Sequence, residues 1–160
     1  SENSALVKGV NRAWDAGLVV VVAAGNNGPR TMSITTPGIS RKVITVGCSD
    51  DDREVLVGGN RMVDYSGRGP TAACICKPDL VAPGCSVVSC AGRADKYTIK
   101  SGTSMSTPIV SGATALLLER YPDMTNKDVK LKLRESCTDI GLPRNQQGWG
   151  LLDVEKLVSK

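Results

Sequence analysis

Histidine is absent from this sequence, and so is phenylalanine. The first absence restricts mechanism most. Histidine is the usual general base for a serine or cysteine nucleophile, so no complete Ser-His-Asp set exists within these 160 residues. Aromatic residues as a class make up only 3% of the chain. That is too few for the stacking platforms of a nucleic-acid groove, which also wants clustered cations, so no nucleic-acid partner is expected. No apolar run approaches the roughly 20 residues of a membrane span, so no membrane partner is expected either. The opening Ser1-Glu2-Asn3 has neither an initiator Met nor the basic and apolar regions of a secretory leader. The expectation is an internal piece of a longer protein. Internal repeats, linkers and low-complexity tracts are also missing, so residues 1–160 are expected to form one domain or part of one.

With 41% apolar residues and 17 glycines, the core must be built from Val, Ile, Leu and Ala, as in buried parallel sheets covered by helices. The net charge of +4 is scattered. Its densest run, Lys127, Lys130, Lys132 and Arg134, alternates with Val129, Leu131 and Leu133 and is expected on the solvated side of a helix. The six cysteines are Cys48, Cys74, Cys76, Cys85, Cys90 and Cys137. An even count is compatible with disulfides in a secreted protein. Cys74-Ile75-Cys76 has the wrong spacing for a zinc knuckle and no histidine completes a site, so no metal and no cofactor is expected. The favoured expectation is free, mostly buried thiols in a reducing, cytoplasmic setting, with secretion left open.

Along the chain, Asn3 or Ser4 is placed to cap a helix over residues 5–16, with Leu6, Val10, Ala13 and Trp14 on its apolar face and Gly17 as the stop. Leu18 to Ala24 has the unbroken β-branched character of a strand covered on both faces and ends in the loop Gly25-Asn26-Asn27-Gly28-Pro29. A strand is expected near residues 43–46 and a solvated turn at Asp50-Asp51-Asp52. Residues 53–77 are expected to be irregular, with a short strand around Met62 to Tyr65. Further strands are expected at Leu80-Val81, Val87–Ser89 and Tyr97–Lys100. Helices follow from about Ser104 to Arg120, from Thr125 with Asp128 as a capping pair, and from Asp153. The fold class is α/β with a mainly parallel sheet flanked by helices. In such sheets ligands bind beyond the carboxyl ends of the strands, where Asn26 falls.

Ser104 closes a turn of small residues, Ser101-Gly102-Thr103, that feeds an apolar helix. Its hydroxyl is therefore expected at a helix N-terminus, where unpaired N–H groups and the positive end of the dipole favour developing negative charge. Helix logic alone leaves two roles open for Ser104, cap or nucleophile. It likewise leaves two for Asn26, a loop amide bonding its own turn or a donor to substrate.

Gly102-Thr103-Ser104-Met105-Ser106-Thr107-Pro108 resembles the nucleophile motif of the subtilisin-like serine peptidases, with Ser106 where Ala is usual. Val22 to Gly28 resembles the oxyanion segment of that family. Tyr65-Ser66-Gly67-Arg68-Gly69-Pro70 and Lys77 to Gly84 are similar to two further signatures, in the same order. The resemblance is closest to bacterial intracellular subtilases and spans nearly the whole chain. It implies a subtilisin-like fold, of which this is roughly the C-terminal half, and cleavage of peptide bonds in a peptide or protein substrate. It makes Ser104 the nucleophile and Asn26 an oxyanion donor. Ala23, Ala24 and Gly25 would wall the primary specificity pocket, and Thr35 would stand at its floor, giving a shallow pocket.

The family's Asp and His motifs are missing, and Asp15, Asp50 and Asp64 stand in the wrong contexts to replace the Asp. The chain is accordingly expected to be a fragment that is essentially inert alone, its Asp and His supplied by an N-terminal part of the same enzyme. The alternative is a histidine-free pseudo-peptidase that binds peptides or regulates a partner. A halved sheet would also bare an apolar strand edge, open to self-association.

Overall fold

The structure, a computed structural model, describes residues 3–92 and 96–159. The first two residues of the chain lie outside it. Its centre is a parallel sheet in the order β1 (Val21–Ala23), β2 (Ile44–Cys48), β5 (Leu80–Ala82). Val46 is the hinge of the register, opposite Ala23 on one side and Leu80 on the other. All five residues of β2 are buried, as a central strand covered on both faces demands. Gly47 within it has no room for a side chain, since a Cβ there would lie 2.9 Å from Ser66 Oγ and 3.0 Å from Pro78.

Two hairpins flank the sheet: β3 (Val55–Val57) with β4 (Asn60–Met62), and β6 (Val87–Cys90) with β7 (Tyr97–Lys100), both antiparallel. The first turns through Gly58 and Gly59 at φ +58° and +90°, the left-handed pair that a tight hairpin asks for. Residues 53–77 are thus more ordered than expected, and the strand near Met62 ends at that residue instead of running on to Tyr65.

Helix α1 (Ala5–Asp15) is capped by Ser4, whose hydroxyl accepts from Val7 N. Its buried residues are Val7 and Trp14, two turns apart, while Leu6 is 62% exposed. Of the expected face, Trp14 is buried and Val10 and Ala13 are half-buried, while Leu6 gives way to Val7. Strand β1 is shorter than the run Leu18–Ala24 and only half-buried, with Leu18 exposed. It is an edge strand, so the expectation of cover on both faces fails. The other edge is closed by a parallel bridge from Val81 to Leu151.

Helix α2 (Thr103–Arg120) packs over β1, β2 and β5 and buries Val110, Ala113, Thr114 and Leu117. Fully burying a side chain such as Leu117 is worth about 1.5–3 kcal/mol. Helix α3 (Asn126–Ser136) starts with the expected capping box, Thr125 and Asp128 satisfying each other's backbone N–H. A short α4 (Arg144–Gln147), absent from the expectations, precedes α5 (Val154–Val158), which Asp153 caps. Val129, Leu133 and Leu157 from α3 and α5 join Trp14 and the sheet in one apolar cluster.

Charged groups give the largest departures. Lys130 is not solvated: its ammonium donates to the carbonyls of Arg41, Lys42 and Val43, lies 3.6 Å from Asp79 and covers the Trp14 ring. Beneath it, Lys77 is 1% exposed and donates to Val43 O at 2.9 Å and Asp79 Oδ2 at 2.5 Å. Asp79 Oδ2 also accepts from Thr45 N, so this buried pair joins β2 to β5. Nor is Asp50-Asp51-Asp52 a solvated turn. Asp51 is buried and takes the Ser66 N–H at 2.7 Å, and Asp50 takes those of Gly84 and Cys85.

Candidate active site

The parallel strands all deliver their C-terminal loops to one end of the sheet. From β1 comes Ala24-Gly25-Asn26, and from β5 comes Pro83-Gly84. The N-terminus of α2 reaches the same place, because Gly102 N donates to Gly84 O at 2.9 Å. Gly102 is the N-cap, at φ +137°, a conformation that favours a residue without Cβ. A Cβ there would also sit 3.3 Å from Asn26 Nδ2. Ser104 is the second residue of the helix, exposed, and its hydroxyl and backbone N–H make no hydrogen bond among the described residues.

Asn26 is fixed through its oxygen. Oδ1 accepts from Thr103 N and from Thr103 Oγ1, both at 3.0 Å, and Thr103 Oγ1 accepts in turn from Gly25 N at 3.2 Å. Nδ2 is left with no hydrogen-bond acceptor among the described residues. The structure thus places Asn26 against the residue next to Ser104, with its amide donor beside the helix start. The local turn seen as an alternative for Asn26 is not what holds it. The Ser104 N–H, unpaired in this first helical turn among the described residues, and the positive end of the α2 dipole add to this donor field.

The other sequence-derived residues gather at the same loop. Ala23 is half-buried at the end of β1, and Ala24 is fully buried. Thr35 N and Oγ1 both donate to Ala24 O, at 2.9 and 3.3 Å. Gly25, at φ +94°, leaves the space into which the Thr35 side chain packs, and a Cβ there would collide with it. The loop is held from behind by Gly28 N to Tyr65 O and Gly67 N to Gly25 O, both 2.8 Å. Asp15 pairs with Lys42 at the surface and Asp64 with Arg68, while Asp50 is spent on the loop after β5.

Thr103 was present in the motif but carried no role of its own in the sequence reading. Its task is a contact across 77 positions, for which neither spacing nor periodicity leaves a signal. The cysteines also need correction: among the six free thiols only Cys48 is buried, Cys85 and Cys137 are intermediate, and Cys74, Cys76 and Cys90 are exposed. Burial pushes the Cys137 thiol up to about 12 and the Cys48 thiol further.

Residues 1–150 match the model described as "Subtilase family". The serine protease AprX of Bacillus subtilis is 42% identical over 147 residues, covering 84% of this chain and 33% of that protein. Subtilisin DY of Bacillus licheniformis is 35% identical over 157 residues, covering 97% of this chain and 52% of that protein. Among solved structures, a mutant of the protease domain of PatA superposes with a TM-score of 0.72 at 28% identity, covering 95% of this chain and 51% of that chain. This chain therefore spans about half, or less, of the relatives it matches, and the folds agree over that half.

Proposed function

This chain belongs to the Subtilase family, and from that premise we propose that it is the nucleophile-bearing part of a serine endopeptidase. The observation that carries the reading is the Asn26 carboxamide, anchored by its oxygen to Thr103 with Nδ2 free beside the start of the Ser104 helix. Ser104 Oγ attacks the scissile carbonyl carbon and passes its proton to a general base. The oxyanion formed takes hydrogen bonds from Asn26 Nδ2 and Ser104 N–H. Collapse expels the amine, which carries the proton away, and leaves an acyl-enzyme that water then hydrolyses. Removing an oxyanion donor of this kind costs about 10²–10³ in kcat, a figure that comes from subtilisin, a member of the same family.

The base is a histidine, oriented by an aspartate, from an N-terminal part of the same enzyme. This sequence contains no histidine, and losing the triad His in subtilisin costs about 2 × 10⁶ in turnover, so the 160-residue chain is inert alone. Its docking face is the free edge of β1. There Val19, Val20 and Val21 line an open apolar groove with Ala115, Leu118 and Met124, and without the N-terminal part the same edge promotes self-association. Substrate is a peptide or protein, its P1 side chain entering between Ala23-Ala24-Gly25 and Thr35. The Thr35 side chain over Gly25 makes that pocket shallow. The free thiols favour a reducing, cytoplasmic compartment. No helix among the described residues is long and apolar enough to cross a membrane.

The lack of histidine also supports a second reading, a pseudo-peptidase that binds peptides without cleaving them. A fluorophosphonate probe separates the two. The complete gene product labels at Ser104, and this chain alone labels weakly or not at all. A complete product that leaves Ser104 unlabelled while folded would discard the peptidase reading.

A further inference from the structure

At the carboxyl ends of β2 and β5, behind the site just described, four donor atoms converge that the proposed chemistry does not use. Cys48 Sγ lies 3.1 Å from Asp50 Oδ1 and 3.3 Å from the Tyr65 hydroxyl. That hydroxyl is 3.1 Å from Cys85 Sγ. The ligand atoms of Cys48, Asp50 and Cys85 all fall within 4.8 Å of one another. Cys48 and Tyr65 are fully buried and Cys85 is intermediate, so the cluster has a dry floor and an open side.

The carboxylate is held ready. Asp50 Oδ1 takes the N–H groups of Gly84 and Cys85, at 2.7 and 3.1 Å, while Oδ2 makes no hydrogen bond among the described residues. Backbone support of this kind orients ligating carboxylates. A separate observation comes from α2. Ser106 Oγ is fully buried without a partner. It crowds Gly84 where a Cβ would be, and Cys48 Sγ flanks the same point at 2.8 Å. The loop after β5 is thus packed between the cluster and a polar atom that no other group among the described residues satisfies.

We propose that Cys48, Cys85 and Asp50, with the Tyr65 phenol beside them, bind one thiophilic divalent cation of the zinc or cadmium class. Two thiolates and a carboxylate are a donor set that Zn²⁺ accepts in four-coordinate sites. Binding is coordination without redox: each thiol releases its proton to solvent as its sulfur bonds the cation, and no electrons are transferred. A thiol is largely protonated at neutral pH and must be deprotonated to ligate, so up to two protons leave per cation. The Tyr65 hydroxyl is in contact with both sulfurs. The cation would join the end of β2 to the loop after β5. Because Gly84 O accepts from Gly102 N, it would also stiffen the seat of the α2 N-terminus.

The test is a cadmium titration of the complete gene product, reduced and freed of metal by chelation. The readouts are the ultraviolet thiolate-to-cadmium charge-transfer band, proton release and the melting temperature. The expected result is a band that saturates at one equivalent, with up to two protons released and a raised Tm. Cys85→Ser should lose the band or weaken binding by at least about tenfold, and Cys90→Ser should leave both unchanged. Should Cys48→Ser fail to fold, alkylation mapping of the wild type serves instead, cadmium slowing modification of Cys85 by at least about tenfold. A band that survives Cys85→Ser, an unprotected Cys85, or a Cys48–Cys85 disulfide that persists under reductant would each overturn the proposal.

Discussion

Replacing Lys77 by Met keeps the aliphatic stem and deletes a buried ammonium, which makes it a clean probe of the charge between β2 and β5. Burial holds the folded-state pKa of Lys77 down at about 8, against an ordinary 10.5. Lys130 pushes in the same direction, while Asp79 and Cys76 oppose it. The sign follows from proton counting. Between about pH 8 and 10.5 the unfolded chain holds a proton on Lys77 that the folded chain has released, so stability rises with pH in that window. The full excursion is worth about 3 kcal/mol, at 1.36 kcal/mol per pH unit. Urea unfolding of the reduced complete gene product, wild type and Lys77→Met, from pH 7 to 11 gives the difference curve. Thiols and phenols that do not interact with Lys77 cancel in it, and Cys76 and Lys130 leave only their coupling to Lys77. The curve should be flat below pH 8, climb by about 3 kcal/mol, and level off near 10.5. A difference that falls with pH over that window would mean that attraction to Asp79 outweighs burial, and the reasoning would be refuted.

Further expectations concern the site. Thr103→Val removes one of two anchors on Asn26 and strands the Gly25 N–H, so it should cost about 2–3 kcal/mol of stability. Its kcat should fall by about tenfold, well short of the loss at Asn26→Ala, and Thr103→Ser should restore most of both in steady-state assays. Gly102→Ala forces a side chain onto φ +137° beside Asn26 Nδ2. It should destabilise by about 1–3 kcal/mol and depress kcat more than KM. Thr35→Gly should deepen the P1 pocket and raise kcat/KM for large aromatic P1 residues by about tenfold or more in peptide-library profiling. A wild type already preferring such residues would argue against the shallow pocket.

The elements that local chemistry decides were legible in the sequence. The run at Ile44, the apolar helix after Ser104 and the Thr125–Asp128 box each contain their own instruction. Where a neighbour decides, the sequence was silent. Val7 and Leu6 are similarly apolar, and only the segments that come to lie near Val7, around Ser40 to Lys42 and Ala73 to Ile75, select it. Lys130 looks like any helix-surface lysine until the carbonyls of residues 41–43 arrive beneath it, and three consecutive aspartates look solvated until Ser66 and Gly84 present their N–H groups. The edge position of β1 likewise depends on strand order and not on the Val-rich run itself. At the site, the linear motifs marked Ser104 and Asn26, but nothing local marked Thr103 as the residue that aims the amide. The meeting of Cys48 with Cys85 needed the β2–β5 register.

On the peptidase reading, the dependence of Asn26 on Thr103, 77 positions downstream, bears on when hydrolysis can begin. An unfinished or partly folded copy has its amide unaimed and its serine in a chain that has not yet coiled. Cutting power then arrives only once the late segment has settled onto the early one. Timing is thereby written into the topology, since no shorter stretch of the chain contains both the amide and the residue that aims it.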